Sequence, residues 1–224
     1  MTYEILDWLK QYRIIVALRG IEPDKIVATA KALYDGGIRM LEITFNQSSA
    51  MALTDTPAAI RAVRECMGEK MLVGAGTVVT VEQAEAAASA GAKYLLAPNF
   101  DPSVVTAAQR LGIASIPGAL TPSEIVAAWK AGATLVKLFP VGNFGPDYVK
   151  AITAPLSHIP LLGMGGINDQ NLLKYLSISS MIGVGIGSNI AKVSLIQSGD
   201  YSGITKLAES YTRQLDSSAK GVNS

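Results

Sequence analysis

Eight short apolar runs, spaced at near-regular intervals, constrain this chain more than any other feature. They cover residues 14–18, 38–45, 70–73, 94–97, 114–116, 134–139, 159–163 and 181–186. Most are nearly continuous in apolar residues, as parallel strands covered on both faces are. Helix-like stretches at 24–34, 49–67, 81–90, 102–111, 122–131 and 169–176 lie between them. Asp101-Pro102 and Thr121-Pro122 each place a capping side chain before a proline suited to the first helical turn. Gly36-Gly37, Gly91, Gly112 and Gly132 each end a helix before a strand. The phrases at 36–42, 91–97 and 132–138 read as one unit reused: helix end, glycine, strand. Eight such units in 224 residues predict a single (β/α)8 TIM barrel over 1–224. An open doubly wound sheet is the alternative, and the absence of any linker or compositional break favours the barrel.

Residues 1–13 predict an extra N-terminal helix. Ile5, Leu6, Trp8, Leu9 and Tyr12 give it an apolar side that packs on the barrel. Residues 217–224 are small and polar, and a frayed tail is expected there.

Composition narrows the class. The chain is 49% hydrophobic and 17% charged, which excludes a disordered protein. Its 19 basic and 18 acidic residues leave a net charge of +1, so no electrostatic case exists for nucleic acid or a membrane surface. A lone Cys66 excludes an intramolecular disulfide, and a lone His158 excludes a His-rich metal site. No apolar run approaches the roughly 18–20 residues of a membrane span. The first twelve residues carry Glu4 and Asp7 and do not read as a signal peptide. A cytoplasmic enzyme or binding protein is the expectation.

In such barrels the chemistry gathers at the C-terminal ends of the strands. Lys137 lies late in the sixth run, on one face with Leu135 and Phe139. An ordinary lysine is a free amine about once in a few thousand at neutral pH. Apolar surroundings disfavour the ammonium and make the amine a nucleophile toward a ketone. A lysine that snorkels to the rim or pairs with a carboxylate is the competing reading. Glu42, near the end of the second run, shares a face with Thr44 and Asn46. It suits a proton shuttle, or equally a structural ion pair with Lys137.

Two glycine-rich turns, 163–167 and 183–189, end adjacent strands. Glycine turns let backbone N–H groups approach an anion, and the second also opens a possible short helix. Simple turn chemistry is the alternative, and neither turn has dinucleotide-fingerprint spacing. Arg19 ends the first strand and suits a carboxylate or phosphate clamp, or is an ordinary surface arginine. Thr77 follows Gly74-Ala75-Gly76 and suits a bond to a bound acid, or caps a helix. His158, at the opposite end, and Cys66 are read as structural or solvated.

Seven motifs occur in order: Leu41-Glu42-Ile43-Thr44, Gly74-Ala75-Gly76-Thr77-Val78, Ala97-Pro98-Asn99, Ile116-Pro117-Gly118, Val136-Lys137-Leu138-Phe139-Pro140, Gly165-Gly166-Ile167 and Gly185-Ile186-Gly187-Ser188. With them the chain resembles the class I 2-keto-3-deoxy-6-phosphogluconate and 4-hydroxy-2-oxoglutarate aldolases over residues 10–215. The resemblance implies a (β/α)8 barrel, a homotrimer, and reversible cleavage of a 2-keto-3-deoxy sugar acid to pyruvate and an aldehyde. Lys137 then matches the Schiff-base lysine and Glu42 the acid/base glutamate. Thr77 and Pro98 match pocket positions, while Gly165, Gly166, Gly187 and Ser188 match phosphate-binding turns. No cofactor beyond the covalent Schiff base on lysine, and no metal, is implied.

The gluconate enzymes carry arginine at Asn46 and threonine at Met164. The 6-phosphogalactonate aldolases look closer, sharing Leu18-Arg19-Gly20-Ile21, an asparagine after the glutamate strand, and Phe144-Gly145-Pro146. In that reading Arg19 takes over the missing arginine's role. Arg19, Asn46, Thr77, Pro98, Phe139 and Met164 are the expected substrate pocket. A 4-hydroxy-2-oxoglutarate aldolase, a phosphosugar isomerase or epimerase, and a non-catalytic sugar-phosphate-binding barrel are the alternatives.

Overall fold

The computed structural model describes the backbone of residues 3–221 and the side chains of 3–217. Among them are nine parallel strands: β1 (Ile14–Leu18), β2 (Met40–Thr44), β3 (Leu72–Gly76), β4 (Tyr94–Leu96), β5 (Ala114–Ile116), β6 (Gly118–Ala119), β7 (Val136–Leu138), β8 (Leu161–Met164) and β9 (Met181–Ile186). They bond in the order β5-β4-β3-β2-β1-β9-β8-β7-β6. The eighth predicted strand is β9 because the fifth is broken in two. Pro117, which has no N–H to donate, separates β5 from β6. The ring passes across this break: Thr134 N–H donates to Ser115 O at 2.9 Å and Lys137 N–H to Pro117 O at 2.9 Å. The barrel expectation holds.

The helices are α1 (Glu4–Tyr12), α2 (Ile26–Asp35), α3 (Ala52–Met67), α4 (Val81–Ser89), α5 (Pro102–Arg110), α6 (Pro122–Lys130), α7 (Gly145–Thr153), α8 (Leu172–Leu176), α9 (Val193–Ser198) and α10 (Tyr201–Gly221). Asp101 and Thr121 cap α5 and α6 as predicted, the latter in a reciprocal capping box with Glu124. Two expectations need correction. The frayed tail does not begin at 217, because α10 continues through Gly221; residues 222–224 lie outside the described residues. Ile204, Ala208 and Tyr211 bury one face of α10, and Thr212 Oγ1 donates to Gly36 O at 2.9 Å, so tertiary contact fixes this polar helix. The third strand is also displaced, running over 72–76 rather than 70–73, after a 3₁₀ turn at Gly68–Lys70.

Side chains on the strands divide between two cores. One lies between strands and helices; the other fills the barrel, with Ile15, Met40, Leu72, Tyr94, Leu135 and Leu162 among its members. Helix α1 belongs to the inner core: Ile5 and Leu9 are fully buried in it. Leu9 lies over Gly183, where a Cβ would crowd it. The N-terminal helix is therefore a stopper in the barrel's lower end, and the other end is left for the site.

Candidate active site

Lys137 projects inward from β7 and is 5% exposed. Its Nζ sits 4.7 Å from the centroid of the Phe139 ring. Among the described residues no carboxylate is in ion-pair contact with it. Burial lowers its pKa from the usual lysine range; Glu42 raises it and Arg19 lowers it further. The structure thus removes the ion-paired and rim-exposed readings of this lysine. What it leaves is a poorly solvated amine.

Glu42 projects inward from β2, which lies across the barrel from β7, and is 1% exposed. Glycines make its room. A Cβ on Gly76 would overlap Glu42 Oε1, and one on Gly74 would overlap the Tyr94 ring. Tyr94 spans that gap and donates its hydroxyl to Leu41 O at 2.6 Å, giving the carboxyl a rigid neighbour. Burial raises the Glu42 pKa, against the pull of the Lys137 and Arg19 charges. Among the described residues, Glu42 Oε2 and Thr44 Oγ1 are buried without a hydrogen-bond partner. A carboxyl with a spare buried oxygen and a raised pKa is suited to take and give a proton.

A cavity of about 370 Å³ opens above these two groups at the strands' C-terminal ends. Arg19, Thr77, Pro98, Lys137, Phe139 and Met164 line it, as do Gly165, Gly166, Gly187 and Ser188. Glu42 lies beneath its lining. Asn46 is not there: it lines a separate pocket of about 140 Å³ with Ile21, Pro23 and Asp55. The chain turns outward after Phe45, and Asn46 Oδ1 accepts the Ser48 N–H at 3.1 Å, closing a local turn.

Thr77 does not cap a helix; Thr80 caps α4. Instead Thr77 adopts φ +54°, rare for a β-branched residue, and its Oγ1 accepts from Arg19 Nη2 at 3.4 Å. The two glycine turns lie side by side at the rim. Gly165 and Gly166 have φ +85° and +83°. Gly142 N–H donates to Gly165 O at 2.7 Å, and Asn189 Nδ2 ties the turns together through Ile167 O at 3.0 Å. The N–H groups of Gly166, Gly187 and Ser188 have no protein acceptor among the described residues. The short helix expected at Ser188 is a single turn, in which the Ile190 and Ala191 N–H groups both donate to Gly187 O at 3.0 Å, and α9 starts only at Val193. The turns therefore offer backbone donors without a helix terminus.

Sequence reasoning missed Tyr94, Gln47 and Gln83. Tyr94 reads as an ordinary strand aromatic. Its clue is the small residue it faces, which becomes visible only once β3 and β4 are in register. Gln47 and Gln83 sit in different units, and nothing local joins them.

The family described as "KDPG and KHG aldolase" matches residues 5–207 of the chain. The chain is 34% identical to 2-dehydro-3-deoxy-6-phosphogalactonate aldolase of Escherichia coli K12, over 83% of this chain and 87% of that one. It is also 34% identical to the 2-dehydro-3-deoxy-phosphogluconate aldolase of Treponema pallidum, over 92% and 94%. A solved KDPG aldolase from Legionella pneumophila, holding pyruvate as a covalent carbinolamine, superposes with a TM-score of 0.84 at 27% identity, covering 94% of this chain and 99% of that one.

Proposed function

The chain belongs to the KDPG and KHG aldolase family, and from that premise we propose that Lys137 and Glu42 together cleave a 2-keto-3-deoxy-6-phospho sugar acid. The protein is a carbon–carbon lyase of the class I type. Lys137 Nζ attacks the C2 ketone, and loss of water leaves an iminium. Glu42 takes the proton of the C4 hydroxyl as the C3–C4 bond breaks. The bonding pair flows into the iminium, giving an enamine and free glyceraldehyde 3-phosphate. Glu42 then returns the proton to C3. Water adds at C2 and releases pyruvate and the lysine amine.

The observation that carries this reading is a nearly buried strand lysine that reaches the cavity without a carboxylate in contact. Arg19 and Thr77 suit the substrate's carboxylate, and the N–H groups of Gly166, Gly187 and Ser188 suit the phosphate. Relatives named for both the galactonate and the gluconate substrates match at equal identity. Met164 lies over Gly185 in the pocket wall, in place of the threonine of the gluconate enzymes. The group that does the chemistry is part of the chain, so no further cofactor enters the reading.

Reduction with borohydride in the presence of pyruvate tests it. One reduced pyruvyl group on Lys137, lost in Lys137→Ala together with aldol cleavage, is the expected result. A Lys137→Ala protein that still cleaves substrate at near the parent rate would overturn it.

A further inference from the structure

Thr77 is held in an unfavourable backbone conformation, and one directed chain of hydrogen bonds does the holding. The chain starts at a backbone group and so has only one possible polarity. Val79 N–H donates to Gln83 Oε1 at 2.8 Å. That bond fixes which end of the Gln83 amide is oxygen, since a backbone N–H can only donate. Gln83 Nε2 therefore faces outward, and it donates to Gln47 Oε1 at 2.9 Å. Gln47 is oriented in turn, and its Nε2 donates to the Thr77 carbonyl at 2.8 Å. Gln83 is 6% exposed and its own N–H donates to Thr80 Oγ1, so the relay is anchored in the first turn of α4. A β-branched residue at φ +54° is strained and persists only where its surroundings over-determine it.

We infer that Gln47 and Gln83 are positioning residues that keep Thr77 facing the cavity, so that its hydroxyl, beside Arg19, is preset for the substrate's carboxylate. The inference rests on the Schiff-base reading for the identity of the ligand. Neither glutamine lines the cavity. They act through one backbone carbonyl. Without that bond Thr77 relaxes toward ordinary dihedrals and its side chain turns away.

The experiment is a double-mutant cycle on the full chain. Pyruvate concentration is varied in borohydride trapping, and the half-saturating concentration is read in the parent, Gln47→Met, Thr77→Gly and the double variant. Gln47→Met is expected to raise it roughly tenfold, the worth of one lost hydrogen bond, with the trapped yield at saturation unchanged. Gln83→Glu, which cannot donate to Gln47 Oε1 yet still accepts from Val79, should act in the same direction. Glycine adopts positive φ without strain, so in the Thr77→Gly background Gln47→Met should leave half-saturation within about twofold. Melting temperature should show the reverse pattern. Gln47→Met lowers it more in the Thr77→Gly background than in the parent, because no strain is released there. Equal effects on half-saturation in both backgrounds, or equal losses of melting temperature, would overturn the inference. If pyruvate is trapped by no variant and not by the parent, the Schiff-base reading fails, and the melting cycle still decides the strain relay.

Discussion

Lys137 and Glu42 each carry a burial cost that the other partly offsets. The lysine's pKa falls because its ammonium is poorly solvated, and Glu42 pushes it back up. The glutamate's pKa rises because its carboxylate is poorly solvated, and Lys137 pulls it back down. The signs fix what pH should do. Lys137 becomes a free amine as pH rises through a value below the ordinary 10.5, so the rate of pyruvate trapping should climb with a midpoint below that value. Glu42→Gln removes the attraction that raises the lysine, and should move the midpoint lower. Arg19→Met removes a repulsion and should move it higher. A midpoint that ignores both substitutions would mean that these charges do not reach the amine. Glu42→Gln should also slow cleavage by about 10²–10⁴ while pyruvate is still trapped. Stability follows the same linkage. Between the lowered pKa and 10.5 the unfolded chain binds more protons at Lys137, so its cost to the fold is full at lower pH and fades as pH rises through that window.

At the scale of elements, Glu42, the proposed acid/base group, is placed by strand register. Glu42 pairs with Gly74 and Thr44 with Gly76 across β2 and β3, which lays the carboxyl over Gly76 and the Tyr94 ring over Gly74. Gly76→Ala should therefore push Glu42 off its place. The expected cost is about 1–3 kcal/mol, read as a lower melting temperature, with cleavage reduced as in Glu42→Gln. An alanine variant with parent activity would show that the carboxyl has room to move. Register also explains what the sequence could and could not reveal. Lys137 and the two glycine turns are visible from strand periodicity alone, because each needs only its own strand. The displacement of β3 was missed because Gly74 and Gly76 look like a loop until Tyr94 and Glu42 are laid over them. Period-two counting runs on past Thr44 to Asn46, whereas the strand stops at Thr44. The Gln83–Gln47 relay joins α4 to the loop after β2, and only the closed barrel brings them together.

For the whole molecule, the seven helices and eight strand units read from the sequence survive with local adjustments. The long helix α10 escaped notice because its face against α2 is polar at Thr205 and Thr212, whose hydroxyls serve backbone carbonyls rather than apolar contacts. Leu9, sealed in the inner core, tests the stopper role of α1. Leu9→Ala should cost about 2–5 kcal/mol, measured by denaturant unfolding. Below its melting temperature that variant should trap pyruvate at parent concentrations. A change in half-saturation would mean that α1 shapes the site as well as the core. The homotrimer implied by the resemblance is a proposal at this scale. Sedimentation should give three copies per particle, and a monomer under assay conditions would remove it.

The stopper also governs traffic. With Ile5 and Leu9 packed into one end of the barrel, the cavity is reached from the other end, where the glycine turns form part of its lining. In the proposed reaction substrate, both products and the hydrolytic water would all use that end. The aldehyde must clear that doorway before water can reach the tethered three-carbon fragment. If the glycine turns hold its phosphate as proposed, the aldehyde would be slow to leave. In this chamber the order of departures is set by architecture as much as by bond strengths.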